Sequence, residues 1–487
     1  MKIFDLPGGV HPAYRKEQSS EQAIRPLPLP KRLYIPLQQH VGALSVPIVA
    51  VGDTVAKGQV LCVRQGGFSA TQHAPTSGRI AAIESFVAPH ASGLPQDTIV
   101  IESDGQDAWG ELPAPIADPF AVDPAKIIDR VAISGIVGLG GAIFPAAIKL
   151  NMGQQYKLDT LLINGAECEP YLTCDDRLMR EYAAEVIDGA RLMARALGAR
   201  RIIVAVEENK PQAIASLKAA AQAHEEIRVT GVPIRYPVGY AQHLTKMVTG
   251  RETPAEHRNA EVGVVTHNVA TARAVHQAVR FGRPLISRIV TVTGGAIRQA
   301  ANLDVLIGTP VSDLVEFCGG FSETPQQLVL GGPMMGQPLP DLAVPIVKGS
   351  AGILAMSAAE LVESRERPCI RCGSCVDVCP CGLSPMEMAA FIRKDKLDAA
   401  DKIFVGDCIG CGSCSWVCPS YIPLVQYFNY ANGVLGDQAR QRRKNDRVKT
   451  LSEAHAVRAE QAEKARQAAR AGKTAAAAPQ STNEVQA

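Results

Sequence analysis

Two stretches of this chain share one spacing: CIRCGSCVDVCP at Cys369–Pro380 and CIGCGSCSWVCP at Cys408–Pro419. Each reads C-x2-C-x2-C-x3-C-P. In such a run the first three thiolates hold three irons of one cubane, and the cysteine before the proline ligates the neighbouring cluster. The spacing therefore assigns Cys369, Cys372, Cys375 and Cys418 to one [4Fe–4S] cluster and Cys408, Cys411, Cys414 and Cys379 to a second. Gly373, Ser374, Gly410, Gly412 and Ser413 are small enough to let backbone N–H groups approach the sulfurs and tune them. Structural zinc needs four-ligand sets at other spacings, so two copies of this signature argue against it. Cys381 lies beside the first motif but outside both and reads as a spectator thiol.

The two motifs form an internal repeat, and SPMEMAAFIRKDKLDAADKIF between them reads as helical, giving an α-helical two-cluster ferredoxin domain over 347–433. The chain has 487 residues, room for three or four domains. Nine of its thirteen cysteines fall between Cys369 and Cys418, which is not the distribution of a secreted disulfide scaffold. The opening MKIFDLPGGVHP has no signal-peptide pattern, and a reducing, cytoplasmic setting is expected. A formal net charge of +2 gives no argument for nucleic acid. The uncharged run Val131–Ile148 has the length of a minimal membrane span, yet it carries four glycines and a proline, so it reads as a loop bringing backbone to a ligand. Any membrane role would then be peripheral.

Upstream the pattern changes twice. Over 1–118, VGDTVAKGQVL (Val51–Leu61) and APTSGRI (Ala74–Ile80) resemble the two halves of a lipoyl-type barrel-sandwich hybrid. The interval CVRQGGFSATQH lacks the swinging-arm lysine, so the segment reads as scaffold, and Lys57 as a solvated turn residue. Over 119–260, TLLIN (Thr160–Asn164) and RIIVAVE (Arg201–Glu207) look like buried parallel strands, and Asp176–Leu197 and Lys210–His224 like the intervening helices. This predicts a doubly wound sheet with its ligand beyond the carboxyl ends of the strands. Over 261–346 a helix (Ala270–Arg280), the strand SRIVTVTGGAI and the runs DVLIGTPVSDLVEFCGG and QQLVLGGPMMG suggest a small β-grasp fold. The tail, 434–487, reads as a basic helix fraying into disorder, with attraction to an anionic membrane surface left open.

Cubanes pass electrons singly, whereas a two-electron donor needs a converter such as flavin. The candidate is the glycine stretch GIVGLGGAIFPAAIKL (Gly135–Leu150), whose backbone could wrap a phosphate or lie against a flat ring, followed by the polar turn TLLINGAECEPYLTCDDR (Thr160–Arg177). GLGGAIFPAAIKL with NGAECEP resembles the flavin- and NADH-binding subunit of respiratory complex I. The longer form NGAECEPYLTCDDRLMRE, the opening FDLPGGVHP and VTHNVATA (Val265–Ala272) are more similar to the C subunits of Rnf ion-translocating oxidoreductases. The resemblance covers nearly the whole chain and its domain order: sandwich hybrid, FMN domain, SLBB-type β-grasp, two-cluster domain.

The resemblance implies that Gly138, Gly140 and Gly141 line an FMN and nicotinamide site, with Lys149 near the FMN phosphate and Phe144 offering a face to NADH. It implies flavin or nicotinamide contacts from Asn164 and Glu167, and a flavin-holding role for His267 and Asn268. Two acidic positions implied near the nucleotide are absent: the complex I subunit has an acid where this chain has Ala166, and the family's PxGGEKxL stretch appears here as PVGYAQHL (Pro237–Leu244), with Ala241 where the glutamate would be. The implied function is a peripheral electron-input subunit on the cytoplasmic side of a bacterial inner membrane. It would pass electrons between NADH, FMN and two [4Fe–4S] clusters toward a ferredoxin-like B subunit. A pure electron-transfer adaptor without NADH oxidation, and a cobalamin reductase of similar domain order, remain alternatives. No side chain is required as general acid or base.

Overall fold

A computed structural model describes residues 2–90, 92–361 and 365–476, without the side chains of 471–476. The chain divides into two compact units, one of Met1–Met386 with Asp407–Val425 and one of Glu387–Gly406 with Gln426–Ala487. Among the described residues, every β-strand lies in the first unit, as do both cysteine motifs.

Its N-terminal part is a pair of antiparallel sheets. One runs Arg32–Pro36, Pro95–Ser103, Gly78–Val87, Thr54–Val55, and the other Val46–Pro47, Val60–Val63, Gln72–His73. Alternate residues of these strands (Leu33, Ile35, Leu61, Ile80, Ile99, Ile101) are fully buried and belong to the same apolar core as the helices of the α/β domain. Lys57 is not a free turn lysine. Its Nζ lies 2.6 Å from Asp107 and 5.0 Å from the centre of the Trp109 ring, so charge and aromatic face hold it to the hairpin.

The α/β domain is a four-stranded parallel sheet in the order Ile227–Val232, Arg201–Glu207, Thr160–Gly165, Val264–Asn268. Thr160–Gly165, Arg201–Glu207 and Val264–Asn268 are nearly continuous buried runs because helices cover the sheet, whereas the edge strand Ile227–Val232 is only partly buried. The helix expected over Asp176–Leu197 is two, Cys174–Glu181 and Ala183–Leu197, parted at Tyr182, and Lys210–His224 shortens to Pro211–Ala221, beginning on its proline. The larger difference concerns Val264–Asn268 and the following helix Val269–Phe281, which the sequence pattern puts at the head of the β-grasp segment. The strand pairs with Thr160–Gly165, and the helix packs in the α/β core, so both belong to the parallel sheet. A strand and a helix do not reveal their partner locally; only the pairing settles it.

The β-grasp part is a six-stranded mixed sheet built on Ser287–Thr293, Ala301–Leu306, Gln327–Leu330 and Gly352–Met356. The last of these strands lies beyond the 346 boundary, and Arg25–Pro26 joins the far edge. Helix Val311–Phe317 supplies Val311, Leu314 and Val315 to its core.

In the second unit, most of helix Pro385–Ile392, helix Leu397–Lys402 and most of the long helix Leu424–Ala476 carry the buried Met388, Ile392, Leu397, Phe428 and Ala431. Beyond Asn432 the long helix is polar almost all round, with ion pairs such as Glu460–Lys464 at 2.6 Å one turn apart. The expected fraying of the tail falls on 477–487, outside the described residues. Among the described residues no helix is long and apolar enough to cross a membrane. Val131–Ile148 is the end of helix Pro124–Ile133, a loop closed by a Val137–Pro145 bridge, and the start of helix Ala146–Leu150.

Candidate redox site

The strand order reverses between Thr160–Gly165 and Val264–Asn268, because the chain winds outward through Arg201–Glu207 and Ile227–Val232 before returning to the other side. In an open parallel sheet that reversal leaves a crevice at the carboxyl ends. Asn164 and Asn268 are direct partners in register across it. Asn268 caps helix Val269–Phe281, its Oδ1 accepting the Ala270 N–H at 2.8 Å, while its Nδ2 donates to Asp175 Oδ2 at 2.6 Å. Asn164 donates to the Gly239 carbonyl at 2.8 Å and accepts the Ala166 N–H at 3.1 Å. An amide side chain carries two N–H groups and two lone pairs, so each asparagine keeps one of each for a ligand.

The glycine loop folds back over this pair. The Gly138 N–H donates to Phe144 O at 2.8 Å and the Ile143 N–H to Gly138 O at 3.1 Å. A methyl on Gly140 would stand 3.3 Å from Asn268 Cβ, which explains the bare backbone there. Gly141, at φ +93°, turns into open space. Thr271 Oγ1 accepts the Leu139 N–H at 2.9 Å, and Arg288 donates to the Leu139 carbonyl at 3.2 Å. Lys149 donates to the Thr266 carbonyl at 2.9 Å, and burial lowers its pKa. Phe144 meets Phe68 edge to face, with ring centres 5.7 Å apart.

Glu167 adopts φ +50°, which points its carboxylate at the start of helix Cys174–Glu181, where it accepts the Asp175 N–H at 2.7 Å and the Asp176 N–H at 3.1 Å. Glu167, Cys174 and Asp175 place their ligand atoms within 4.8 Å of one another. Burial, then the neighbouring Asp175 and Asp176, raise the Glu167 pKa; Lys16 and Lys210 oppose the shift. Burial likewise raises Asp175, with the Asn268 hydrogen bond opposing it. Lys16, from the N-terminal segment, ties the turn down by donating to the carbonyls of Glu167, Glu169 and Leu172 at 2.8, 2.9 and 2.6 Å. Buried Lys210 donates to Ala166 O at 2.7 Å and to Glu207 at 2.9 Å.

His267 is buried with neither ring nitrogen bonded, and burial followed by the charge on Lys149 depresses its pKa strongly. Buried Arg288 leaves Nε and Nη1 without partners. Such groups are costly unless satisfied. Orphaned donors beside an open glycine loop, with spare amide groups at the sheet's switch point, fit a ligand with phosphate oxygens and a polar ring edge, as FMN has. Sequence reasoning assigns nothing to Arg288, Asp175 or Lys16. CDD at a helix entry is a weak signal for Asp175; the other two lie far away in sequence.

The structure places Cys408, Cys411, Cys414 and Cys379 in one neighbourhood, where charge on Cys411, Cys408 and Cys379 adds to burial in lifting the Cys414 thiol to about 12. Cys375 is lifted by burial and then by Cys418 and Cys369. Cys372 stands beside Ser374, whose hydroxyl and N–H lower its pKa. Gly373 (φ +84°) and Gly412 (φ +75°) start the two matching four-residue helices Ser374–Asp377 and Ser413–Trp416, so the sequence repeat is also a structural one. The N–H groups of Arg371 and Leu383 lie 3.4 Å from the sulfurs of Cys369 and Cys379. Cys381 is half-buried, 4.0 Å from His243 Nε2.

Four families match in sequence: the RnfC barrel-sandwich hybrid domain over residues 4–106, the Nuo51 FMN-binding domain over 131–277, the SLBB domain over 289–338 and the 4Fe-4S dicluster domain over 361–419. The chain is 54% identical over 446 residues to the C subunit of the ion-translocating oxidoreductase complex of Rhodobacter capsulatus, covering 91% of this chain and 85% of that protein. It is 46% identical to the corresponding protein of Serratia proteamaculans (88% and 60% covered) and 44% identical to that of Pseudomonas aeruginosa (94% and 59%). Among solved structures, an NAD+-reducing [NiFe]-hydrogenase aligns with 19% identity and a TM-score of 0.45, covering 66% of this chain and 62% of that one. A barrel-sandwich hybrid, an FMN-type α/β domain, an SLBB domain and a dicluster domain on one chain make this an electron-transfer protein, and it belongs to the family of C subunits of ion-translocating oxidoreductase complexes.

Proposed function

We propose that the chain is the electron-input subunit of its complex, taking electrons from NADH at an FMN held over the Asn164–Asn268 pair and delivering them through two [4Fe–4S] clusters to a ferredoxin-like partner subunit. The observation that carries this reading is the convergence of Gly140, Asn164, Asn268 and the Glu167 turn at the switch point of the sheet. When bound, FMN exchanges electron pairs with a nicotinamide and single electrons with iron–sulfur centres. The residues supply placement. The bare loop at Gly140 and Gly141 admits a flat ring, the two asparagines offer one donor and one acceptor each, and Lys149, Arg288 and His267 offer positive or polar groups to a phosphate. Cys369, Cys372, Cys375 and Cys418 would hold one cluster, and Cys408, Cys411, Cys414 and Cys379 the other. The proposed setting is the cytoplasmic face of the inner membrane, bound through other subunits, which would carry out any ion movement.

Reconstitution of the full chain with iron, sulfide and FMN, followed by anaerobic NADH titration, tests the reading. Bleaching of flavin and then iron–sulfur absorption is expected, whereas clusters reducible by dithionite but not by NADH would refute NADH input. One observation favours that second, adaptor reading: Ala166, where the similar complex I subunit has an acid, is fully buried, so this position presents no carboxylate to a nucleotide.

A further inference from the structure

The stretch GGPMMG, Gly331–Gly336, belongs to neither the flavin site nor the cysteine motifs. It forms the turn between strands Gln327–Leu330 and Gln337–Pro338 of the β-grasp sheet. One side of it faces the flavin-side turn. Glu169, two residues beyond Glu167, accepts the Met334 N–H on Oε2 at 3.1 Å and the Met335 N–H on Oε1 at 2.8 Å. A methyl on Gly332 would overlap that carboxylate, so the glycine leaves its seat.

The other side of the turn faces the second cysteine motif. A methyl on Gly412 would stand 3.1 Å from the Met334 carbonyl oxygen. Met334 packs on the buried cluster of Val10, Tyr236 and Cys411. The cysteines assigned to that centre are braced from two more directions, one on each motif. Tyr236 donates its hydroxyl to the Cys411 carbonyl at 2.7 Å. The Gly9 N–H donates to Val378 O at 2.9 Å, and a methyl on Gly8 would stand 2.7 Å from the Cys379 carbonyl. Cys379 and Cys411, from different motifs, are thus both held by segments that also touch the α/β domain. Cys369 and Cys372 are exposed.

We propose that the Gly331–Gly336 turn, with Glu169 as its positioning residue, fixes the Cys379/Cys408/Cys411/Cys414 centre against the Asn164–Glu169 turn, making that centre the first to receive electrons and the less buried Cys369/Cys372/Cys375/Cys418 centre the exit. This rests on the proposed function. No bond is made or broken: each electron oxidises the flavin-side donor by one and reduces the cluster by one. The carboxylate is well suited to the task because it bonds two successive N–H groups at once, which aligns the backbone of Met334 and Met335 as well as holding it.

The test uses the full chain with iron, sulfide and FMN reconstituted, as wild type, Glu169→Gln and Met334→Ala. The amide of Glu169→Gln sets an N–H donor against one of the two backbone donors; Met334→Ala leaves both hydrogen bonds and removes the packing on Cys411. Each protein is titrated with mediators and followed by EPR, which needs no NADH, and Cys379→Ser identifies which signal belongs to the second set. In both variants the second-set signal is expected to shift in potential or line shape while the first-set signal stays put. Electron transfer from photoreduced flavin should slow about tenfold or more, the usual effect of disturbing groups that orient ligands. Unchanged second-set signals and rates in both variants overturn the inference, as does a shift confined to the first set. If wild type forms both clusters but NADH fails to reduce them, the proposed NADH input falls while the EPR comparison still decides the coupling; wild type without clusters overturns both.

Discussion

Asn268 joins the helix behind the flavin domain to the acidic turn in front of it, so its removal tests both. In Asn268→Ala the cap on Ala270 N–H is lost, worth about 1 kcal/mol. Asp175 Oδ2 loses its 2.6 Å donor in a buried setting, which costs about 1–3 kcal/mol. The sum is about 2–4 kcal/mol, well beyond an ordinary surface change of about 0.5 kcal/mol. Asn268→Asp separates the two effects, because aspartate caps as well as asparagine but faces the Asp175 carboxylate at hydrogen-bond distance. The sign of its pH dependence follows. Burial already holds the Asp175 pKa above 3.8, and a second carboxylate raises it further. The folded state then keeps a proton that the unfolded state has released, so stability falls as pH rises from the unfolded value through the folded one. Asn268→Asp should match wild type most closely in acid and fall below it at neutral pH. Urea unfolding by circular dichroism at pH 5 and pH 7.5, with flavin content measured on the same samples, reads both quantities. Asn268→Ala within about 0.5 kcal/mol of wild type, or Asn268→Asp equal to wild type at pH 7.5, would refute the argument.

Three further expectations concern other sites. Cys379→Ser should perturb the EPR signal of the Cys408/Cys411/Cys414 set and spare the other; loss of only the first-set signal would exclude the crossed ligation. Gly189→Ala places a methyl into the Ala272 carbonyl oxygen, where helix Ala183–Leu197 crosses Val269–Phe281, and should destabilise by about 1–3 kcal/mol, visible as a lowered urea midpoint. Lys348 is buried with only the Thr71 and Gly135 carbonyls as acceptors at 2.8 and 2.7 Å, and burial lowers its pKa from 10.5 to about 7. Above pH 7 the folded state releases a proton that the unfolded state keeps, so stability should rise by about 2–3 kcal/mol from pH 7 to pH 9, and Lys348→Met should flatten that slope in urea unfolding.

What is legible in the sequence is what is local. The cysteine repeat lies within twelve residues, and its two matching helices with left-handed glycines follow from the repeated CGSC. The parallel strands announce themselves as buried aliphatic runs. Val264–Asn268 is misplaced by its pattern because VVTHN has no feature naming its partner; the pairing with Thr160–Gly165 spans about a hundred residues and is enforced by the core. Lys57 reads as solvated because its partner Asp107 lies fifty residues on. Lys16 and Arg288 escape a sequence reading for the same reason, although both bear directly on the candidate site.

Ala166, where the similar complex I subunit has an acid, shows how such long-range contacts change the meaning of a local departure. Read alone, Ala166 is a lost carboxylate. In the fold its Cβ lies 3.5 Å from where a methyl on Gly239 would stand, and its carbonyl takes the Lys210 ammonium at 2.7 Å. Asn164 also bonds to Gly239, so the Pro237–Leu244 segment closes directly over the turn. A carboxylate at 166 would have to enter that closed space. The acidic character of the site is carried instead by Glu167 and Asp175, one residue and nine residues on, with Lys16, Lys210 and Arg288 offsetting their charge. Ala166→Asp should therefore lower stability, read as a lowered urea midpoint, without tightening NADH binding in an anaerobic titration.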